Sequence, residues 1–240
     1  MAVKIRAYVI HLQRASNRQE NVQKLKESLP VPTTIIPAID SQTVTSAILE
    51  QYVQRQVHTP RYPFPLNTNE VACFLSHRAA WSAIVSDNVD AGLVLEDDAL
   101  TTSDFIGAFD FARCAMREGH LIRFPHRDDC EDGTFLLRDG RYQLLEPVPV
   151  GLGMVAQLIT RDAAIRLLAK TEQFDRPVDT FAQMYWITGV RPYSVRPSGI
   201  QEISAALGGS LLKQSKSLSA KFRHEILRPI YRRKIRSLSS

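Results

Sequence analysis

Hydrophobic positions along the chain follow two alternating rhythms. Runs rich in β-branched and aromatic residues, at 5–12 (IRAYVIHL), 33–36, 91–95 (AGLVL), 121–124, 155–159 and 193–196, predict strands. Between them, apolar residues recur every three or four positions and predict helices. The first helix follows Ser16-Asn17-Arg18-Gln19, a capping-box pattern ahead of Val22, Leu25 and Leu29; Pro30 and Pro32 end it. Residues 45–56 predict a second helix, and 58–65 (HTPRYPFP) a proline-punctuated loop. Asn67-Thr68-Asn69-Glu70 is another cap-like start, leading a helix to about residue 86 on which Val71, Phe74, Leu75 and Ala79 share a face. Further helices are predicted over 104–118, 161–170 and 178–187. Residues 135–145 bracket Asp139-Gly140, a pair preferred in two-residue hairpin turns.

Strand and helix thus alternate with short connections over most of the chain, which predicts an α/β fold: an open, mostly parallel sheet with helices on both faces. Ligands in such sheets bind at the carboxyl ends of the strands. Two features land there: His11-Leu12-Gln13-Arg14 after the first strand, and Glu96-Asp97-Asp98 after AGLVL, whose unbroken apolar run suits a strand buried on both faces. Three successive carboxylates at such a mouth are costly unless cations or hydrogen bonds compensate them. Strand alternation aims Glu96 and Asp98 to one side and Asp97 to the other, although a turning strand end lets neighbours converge on one ion. Oxygen ligands favour Mg²⁺ or Mn²⁺, which keep positions open for substrate phosphate oxygens. A solvated strand end or a set of helix caps would explain the same acids without an ion.

With 240 residues, 44% hydrophobic and 23% charged, the chain is globular rather than disordered. Cys73, Cys114 and Cys130 lie far apart and fit neither a disulfide framework nor a cysteine-built zinc site, so a reducing compartment is expected. The N-terminus shows no secretory pattern, and no apolar window reaches the about eighteen residues of a membrane span, so membrane contact would be peripheral. Charge is uneven: residues 211–240 hold nine Lys or Arg against one acid, a balance of +8, leaving 21 against 24, or −3, for the rest. In that tail Phe222, Ile226 and Ile230 recur every four residues among Lys221, Arg223, Arg228, Arg232, Arg233, Lys234 and Arg236. Pro229 predicts two short helical pieces instead of one. Such a segment can lie on an anionic bilayer, each basic residue contributing about 1 kcal/mol, or it can be disordered or docked on the core. Nucleic acid is not expected as a partner, because the remaining chain is net acidic and carries no recognisable motif for it. No internal repeat is present, and the chain divides into a domain over 1–208 and the basic amphipathic segment 209–240.

Several segments together carry a resemblance: YVIHLQRASNRQENV (8–22), Ala38-Ile39-Asp40, NEVACFLSHRAAW (69–81), LVLEDDA (93–99), Gly153 ahead of Leu158-Ile159-Thr160-Arg161, Pro177-Val178-Asp179, and Pro197 through Gln201-Glu202. In order and spacing they resemble the family 25 glycosyltransferases, the group that contains bacterial lipooligosaccharide galactosyltransferases and, more distantly, collagen galactosyltransferases. The resemblance implies a GT-A-like nucleotide-sugar fold and transfer of a hexose, most often galactose from UDP-galactose, to a glycan hydroxyl of a lipid-linked acceptor. It implies a divalent metal at the acidic triplet in place of a DxD motif, with Asp98 the direct ligand, Asp97 the next, and Glu96 at the outer position on the donor side. His11 and Arg14, at the first strand's exit, fall on the donor site, although His11 stands where the family usually has asparagine. Arg18 would contact nucleotide phosphate or hold the loop over the base; a helix-surface arginine is the alternative. Ser76 and His77 match a Ser-His pair that contacts the donor sugar or orients the acidic loop, unless the histidine is structural. Asp179, then Glu202, are the matched candidates for the base of an inverting reaction, though Asp179 also suits the first turn of a helix. The family's small-residue and tyrosine stretch is altered at Ala156-Gln157, and His126 and His224 are unaligned extra ligands. Expected, then, is a cytoplasmic enzyme, peripheral on the inner face of the cytoplasmic membrane. A catalytically silent nucleotide-sugar-binding or scaffold protein, and a Mg²⁺-dependent phosphohydrolase, are the alternatives.

Overall fold

The computed structural model describes residues 3–127, 131–208 and 218–239, with side chains from 225 onward in the last stretch. Cys130 and the side chains of Phe222 and His224 lie outside the described residues, as does the junction at 209. The strands are β1 (Ile5–His11), β2 (Thr33–Pro37), β3 (Ala91–Glu96), β4 (Ala99–Thr101), β5 (Leu121–Arg123), β6 (Gly133–Asp139), β7 (Tyr142–Pro147), β8 (Ala156–Thr160), β9 (Pro192–Arg196) and β10 (Ile200–Glu202). Eight of them form one sheet in the order β2-β1-β3-β8-β5-β9-β7-β6, and β4 pairs with β10 beside it. Six strands of the large sheet run one way; β7 and β8 run against them. The mostly parallel α/β sheet expected from the alternation is therefore present, with β8 inserted antiparallel between β3 and β5.

The period-two pattern explains the two cores. Ala7, Val9, Leu93, Leu95 and Leu158 face one side, while Tyr8, Ile10, Val94 and Ile159 face the other. Helices α1 (Gln19–Ser28) and α4 (Phe105–Ala115) cover the first side. The second side is covered by α3 (Thr68–Ser86), α5 (Arg161–Lys170) and α6 (Val178–Ala182), with α2 (Ser46–Tyr52) packed outside. At the start of α3, Asn67 and Glu70 form the reciprocal capping box that the sequence suggests. Its Phe74 stacks on Phe174 with ring centroids 3.9 Å apart. Gly92 lets α3 approach β3: a Cβ there would stand 2.4 Å from Ile84.

Several expectations are corrected. Ser16 caps nothing; Ser16–Arg18 form a 3-10 turn ahead of α1, which swings Arg18 inward to 4% exposure. Helix α2 stops at Tyr52 because Val53 leaves it to bridge Phe174. The 178–187 helix is broken into α6 and α7 (Tyr185–Thr188) at Met184, whose buried sulfur accepts from Arg176 Nη1. The hairpin forms, but its two-residue loop is Gly140-Arg141, with Asp139 paired to Tyr142. Strand β6 is exposed along its length at the sheet edge, and its register slips between Phe135 and Leu137.

The C-terminal element α8 (Leu218–Leu238) is one helix through Pro229, not two. Proline removes one N–H, and at this exposed position the carbonyl it leaves unpaired meets water. A second stripe of the helix docks on the protein, and the one picked out in the sequence stays outside. Tyr231 and Ile235 are buried against Met184, Tyr62, Trp186 and Ile187, whereas Ile226 and Ile230 stay 49% and 46% exposed. No helix among the described residues is long and apolar enough to cross a membrane.

Candidate active site

The carboxyl ends of β1, β3 and β5 open into a cavity of about 990 Å³, closed on its far side by residues 150–155, the start of α6 and one face of α8. The parallel register pairs Ile10 with Glu96, so His11 at the end of β1 stands beside Asp97. His11 Nδ1 donates to Asp97 Oδ2 at 2.9 Å, and the Leu12 backbone N–H reaches the same oxygen at 3.3 Å. Arg18 Nη1 bridges Asp97 Oδ1 and Asp98 Oδ2, the latter at 3.1 Å. Asn21 Nδ2 donates to the carbonyls of Asp97 and Ala99, both at 2.8 Å, fixing the backbone of the turn. Both Asp97 oxygens are thus engaged inside the protein. Asp97, expected as a metal ligand, lines the cavity, and its two oxygens face Arg18, His11 and the Leu12 N–H.

Asp98 is in a different position. Its Oδ2 meets Arg18, while its buried Oδ1 has no hydrogen-bond partner. Burial, then the neighbouring Glu96, push its carboxyl up to about 7, against the pull of Arg18. An orphaned carboxylate oxygen beside a second carboxylate on a cavity wall fits a hard divalent cation, which would complete Oδ1 and draw on Glu96. Glu96 itself is oriented by His77 Nε2 at 3.1 Å, and His77 Nδ1 meets the Gln157 amide nitrogen at 3.2 Å. With Gln157 donating to Nδ1, the imidazole carries its proton on Nε2 and donates to Glu96. Cys73, one helical turn before His77, brings its thiol to the same place: ligand atoms of Cys73, His77 and Glu96 lie within 4.8 Å of one another. Burial pushes that thiol's pKa well up.

The remaining expected residues divide sharply. Ser76 lines the cavity, but its hydroxyl accepts from the Ile39 N–H at 2.8 Å and donates to the Ala72 carbonyl at 2.7 Å, tying the segment after β2 to α3. Arg14 lines the cavity and pairs with Asp40. His11 does not line it; it stands behind Asp97, which corrects its placement as a direct donor contact. Arg18 is not a surface arginine: it is buried, lines the cavity and pairs with Asp97 and Asp98. Asp179 lies on the opposite wall, accepting from Gly153 N–H at 3.1 Å and from Thr180 N–H at 2.6 Å. Glu202 is carried to the acidic turn by β10, which pairs with β4; the Ile203 N–H donates to the Asp98 carbonyl at 2.9 Å. Hydrogen bonds from Ser204 hold Glu202 below the usual carboxylate range. His126 also lines the cavity, and burial lowers its pKa.

Sequence reasoning missed three parts of this site. Asn21 sits inside a matched segment, yet an asparagine mid-helix gives no sign of reaching two carbonyls across the fold. The buried Arg123–Glu131 pair, which also receives Gly151 N–H at 2.6 Å, shapes the floor. The third is the wall built by Tyr62, Arg228, Tyr231 and Arg232.

An open α/β sheet with a buried acidic turn and a large cavity at its strand ends defines a class of proteins that bind their ligands in the crevice at those ends. Sequence comparison makes this specific. The family model described as "Glycosyltransferase family 25 (LPS biosynthesis protein)" matches residues 4–136, over half of the chain, and the chain belongs to that family. Lipooligosaccharide biosynthesis protein lic2B of Haemophilus influenzae is 25% identical over 170 residues, 68% of this chain and 62% of that protein. Procollagen galactosyltransferase 1 of Danio rerio is 30% identical over 94 residues, 38% of this chain and 16% of its own length. Inactive glycosyltransferase 25 family member 3 of Mus musculus is 27% identical over 213 residues, 79% of this chain and 35% of that protein. The chain spans less than two thirds of each of these relatives. Asp179 and Glu202 lie beyond the residues the family model matches.

Proposed function

We propose that this chain transfers a hexosyl unit, galactose from UDP-galactose, to a hydroxyl of a lipooligosaccharide or lipopolysaccharide glycan, using Mn²⁺ or Mg²⁺ at Glu96 and Asp98. The observation that carries this reading is the unpartnered, buried Asp98 Oδ1 at the mouth of the cavity. A bound ion would supply positive charge against the diphosphate and so ease departure of UDP. Arg18, His11 and Asn21 hold the acidic turn in one geometry, and His77 aims Glu96. Ile10, Leu12, Ala38 and Ile39 give an apolar wall for the nucleoside.

In the transfer, the acceptor oxygen bonds to the anomeric carbon as that carbon's bond to the diphosphate oxygen breaks, the electron pair leaving with UDP. Asp179 takes the hydroxyl proton, and attack opposite the leaving group inverts the centre. Asp179 is taken ahead of Glu202 because it stands on the wall opposite the acidic turn, whereas β10 sets Glu202 beside the turn itself. The test is UDP-galactose turnover on lipooligosaccharide, with Mn²⁺ or with EDTA, for wild type, Asp98→Asn and Asp179→Asn. Chelation and Asp98→Asn each lower turnover by at least about 10²-fold, and Asp179→Asn by about 10²–10⁴-fold. Equal rates in all arms would overturn the reading.

A lipid-linked acceptor brings the chain to a membrane, and the outer face of α8 suits that contact. Ile226 and Ile230 are exposed on the side opposite Tyr231 and Ile235, with exposed Arg233 and Lys234 flanking them. That membrane is the inner face of the cytoplasmic membrane.

One observation favours a second reading, a silent nucleotide-sugar-binding protein: the relative aligned over the largest share of this chain among the three is named inactive. Residues His11 and Gln157 also depart from the family pattern. UDP binding without turnover on a broad acceptor panel would establish that reading.

A further inference from the structure

We infer that Arg228 and Arg232 form a clamp for a phosphate group carried by the acceptor saccharide, an inference that rests on the transfer reading above and names its substrate class. The two arginines are one helical turn apart and line the cavity on the same face of α8 as Tyr231 and Ile235. Their mount is fixed. The Tyr231 hydroxyl accepts from buried Arg176 Nη1 at 2.8 Å, its ring meets Tyr62 edge-on at 5.4 Å, and Ile235 is 1% exposed.

Of the other arginines lining the cavity, Arg14 is paired with Asp40, Arg18 with Asp97 and Asp98, and Arg123 with Glu131, while Arg127 stands on the His126 side, away from α8. Arg228 and Arg232 form no ion pair with any carboxylate among the described residues. They are therefore two spare positive charges at the edge of a substrate cavity. A phosphate monoester, with a charge of about −1.5 to −2, matches two guanidinium groups in charge.

Position assigns the phosphate to the acceptor. The donor diphosphate belongs at Glu96 and Asp98. The clamp closes the far side of the cavity together with the start of α6, which carries Asp179, the carboxylate given the acceptor proton. A neutral sugar would leave the two arginines facing only water and the cavity's own acids.

Calorimetric titration of the full chain tests this with two probes: the oligosaccharide released from lipooligosaccharide by mild acid, and the same material after enzymatic removal of its phosphates. UDP with Mn²⁺ is titrated in parallel. Wild type binds the phosphorylated probe at least about tenfold more tightly, and Arg228→Ala with Arg232→Ala brings the ratio to about one. Arg228→Lys with Arg232→Lys, which keeps both charges, retains most of the preference and guards against a folding artefact. No preference in wild type overturns the clamp. So does a double alanine variant that weakens both saccharides equally, or one that weakens UDP by the same factor as the phosphorylated probe. A wild-type chain that prefers the phosphorylated probe yet neither binds UDP nor transfers sugar overturns the transfer reading and leaves the clamp standing.

Discussion

At the scale of single residues, Asp97 and Asp98 are adjacent acids with opposite surroundings, and the difference is measurable. Asp97 is saturated by Arg18, His11 and Leu12, while Asp98 keeps a bare buried oxygen and a carboxyl pushed up to about 7. In the metal-free protein the folded state then holds a proton that the unfolded state releases near the ordinary aspartate value. The stabilisation from that proton is full below about pH 4 and is lost as pH rises through about 7, by up to about 1.4 kcal/mol per pH unit. Urea unfolding between pH 4 and 8 with EDTA present should show this slope, and Asp98→Asn should remove it. Asn21→Ala leaves two buried carbonyls without a donor and is expected to cost about 2–4 kcal/mol in the same assay. The acidic triplet was legible in the sequence because three carboxylates behind an unbroken apolar run are a local signal. Arg18 was legible only as a match, since nothing local tells a helix-start arginine that points outward from one that a 3-10 turn swings inward.

Elements were read best where capping and period agree. The capping box of α3 forms as the sequence suggests, and α5 spans the residues expected of it. Helix α3 is also held close to the sheet by Gly92; Gly92→Ala drives a methyl into Ile84 and should lower stability by about 1–3 kcal/mol, read from the midpoint of thermal unfolding. In helix α8 the second stripe, the one that docks on the protein, went unread for a reason that applies generally. Ile226 and Ile230 share the four-residue spacing of Tyr231 and Ile235, and spacing alone does not say which stripe meets the protein. The deciding partner is Arg176, buried and 55 residues away in sequence, which no local pattern reveals. Tyr231→Phe removes its acceptor and should cost about 1–2 kcal/mol, with faster tryptic cleavage at the basic residues of α8 as the readout.

Across the whole molecule, the site is assembled from strand ends and segments scattered from Ile10 to Ile235, so its composition followed from topology more than from any one motif. Glu202 reaches Asp98 only because β10 pairs with β4, a two-stranded ladder too short to stand out in the sequence. The outer face of α8 gives a prediction at this scale. Ile226→Ser with Ile230→Ser should reduce co-sedimentation with anionic vesicles, and raised salt should weaken wild-type binding as well. The opposite rim of the molecule poses another problem. Strand β6 leaves Phe135, Leu136 and Leu137 uncovered at the last position of an eight-stranded sheet, a surface on which another chain could polymerise. The slip at Leu136 interrupts the straight row of amides that such a template requires. Deleting Leu136 would restore that row, and light scattering at rising concentration should then report more self-association than the native chain shows, the one misaligned residue being the difference.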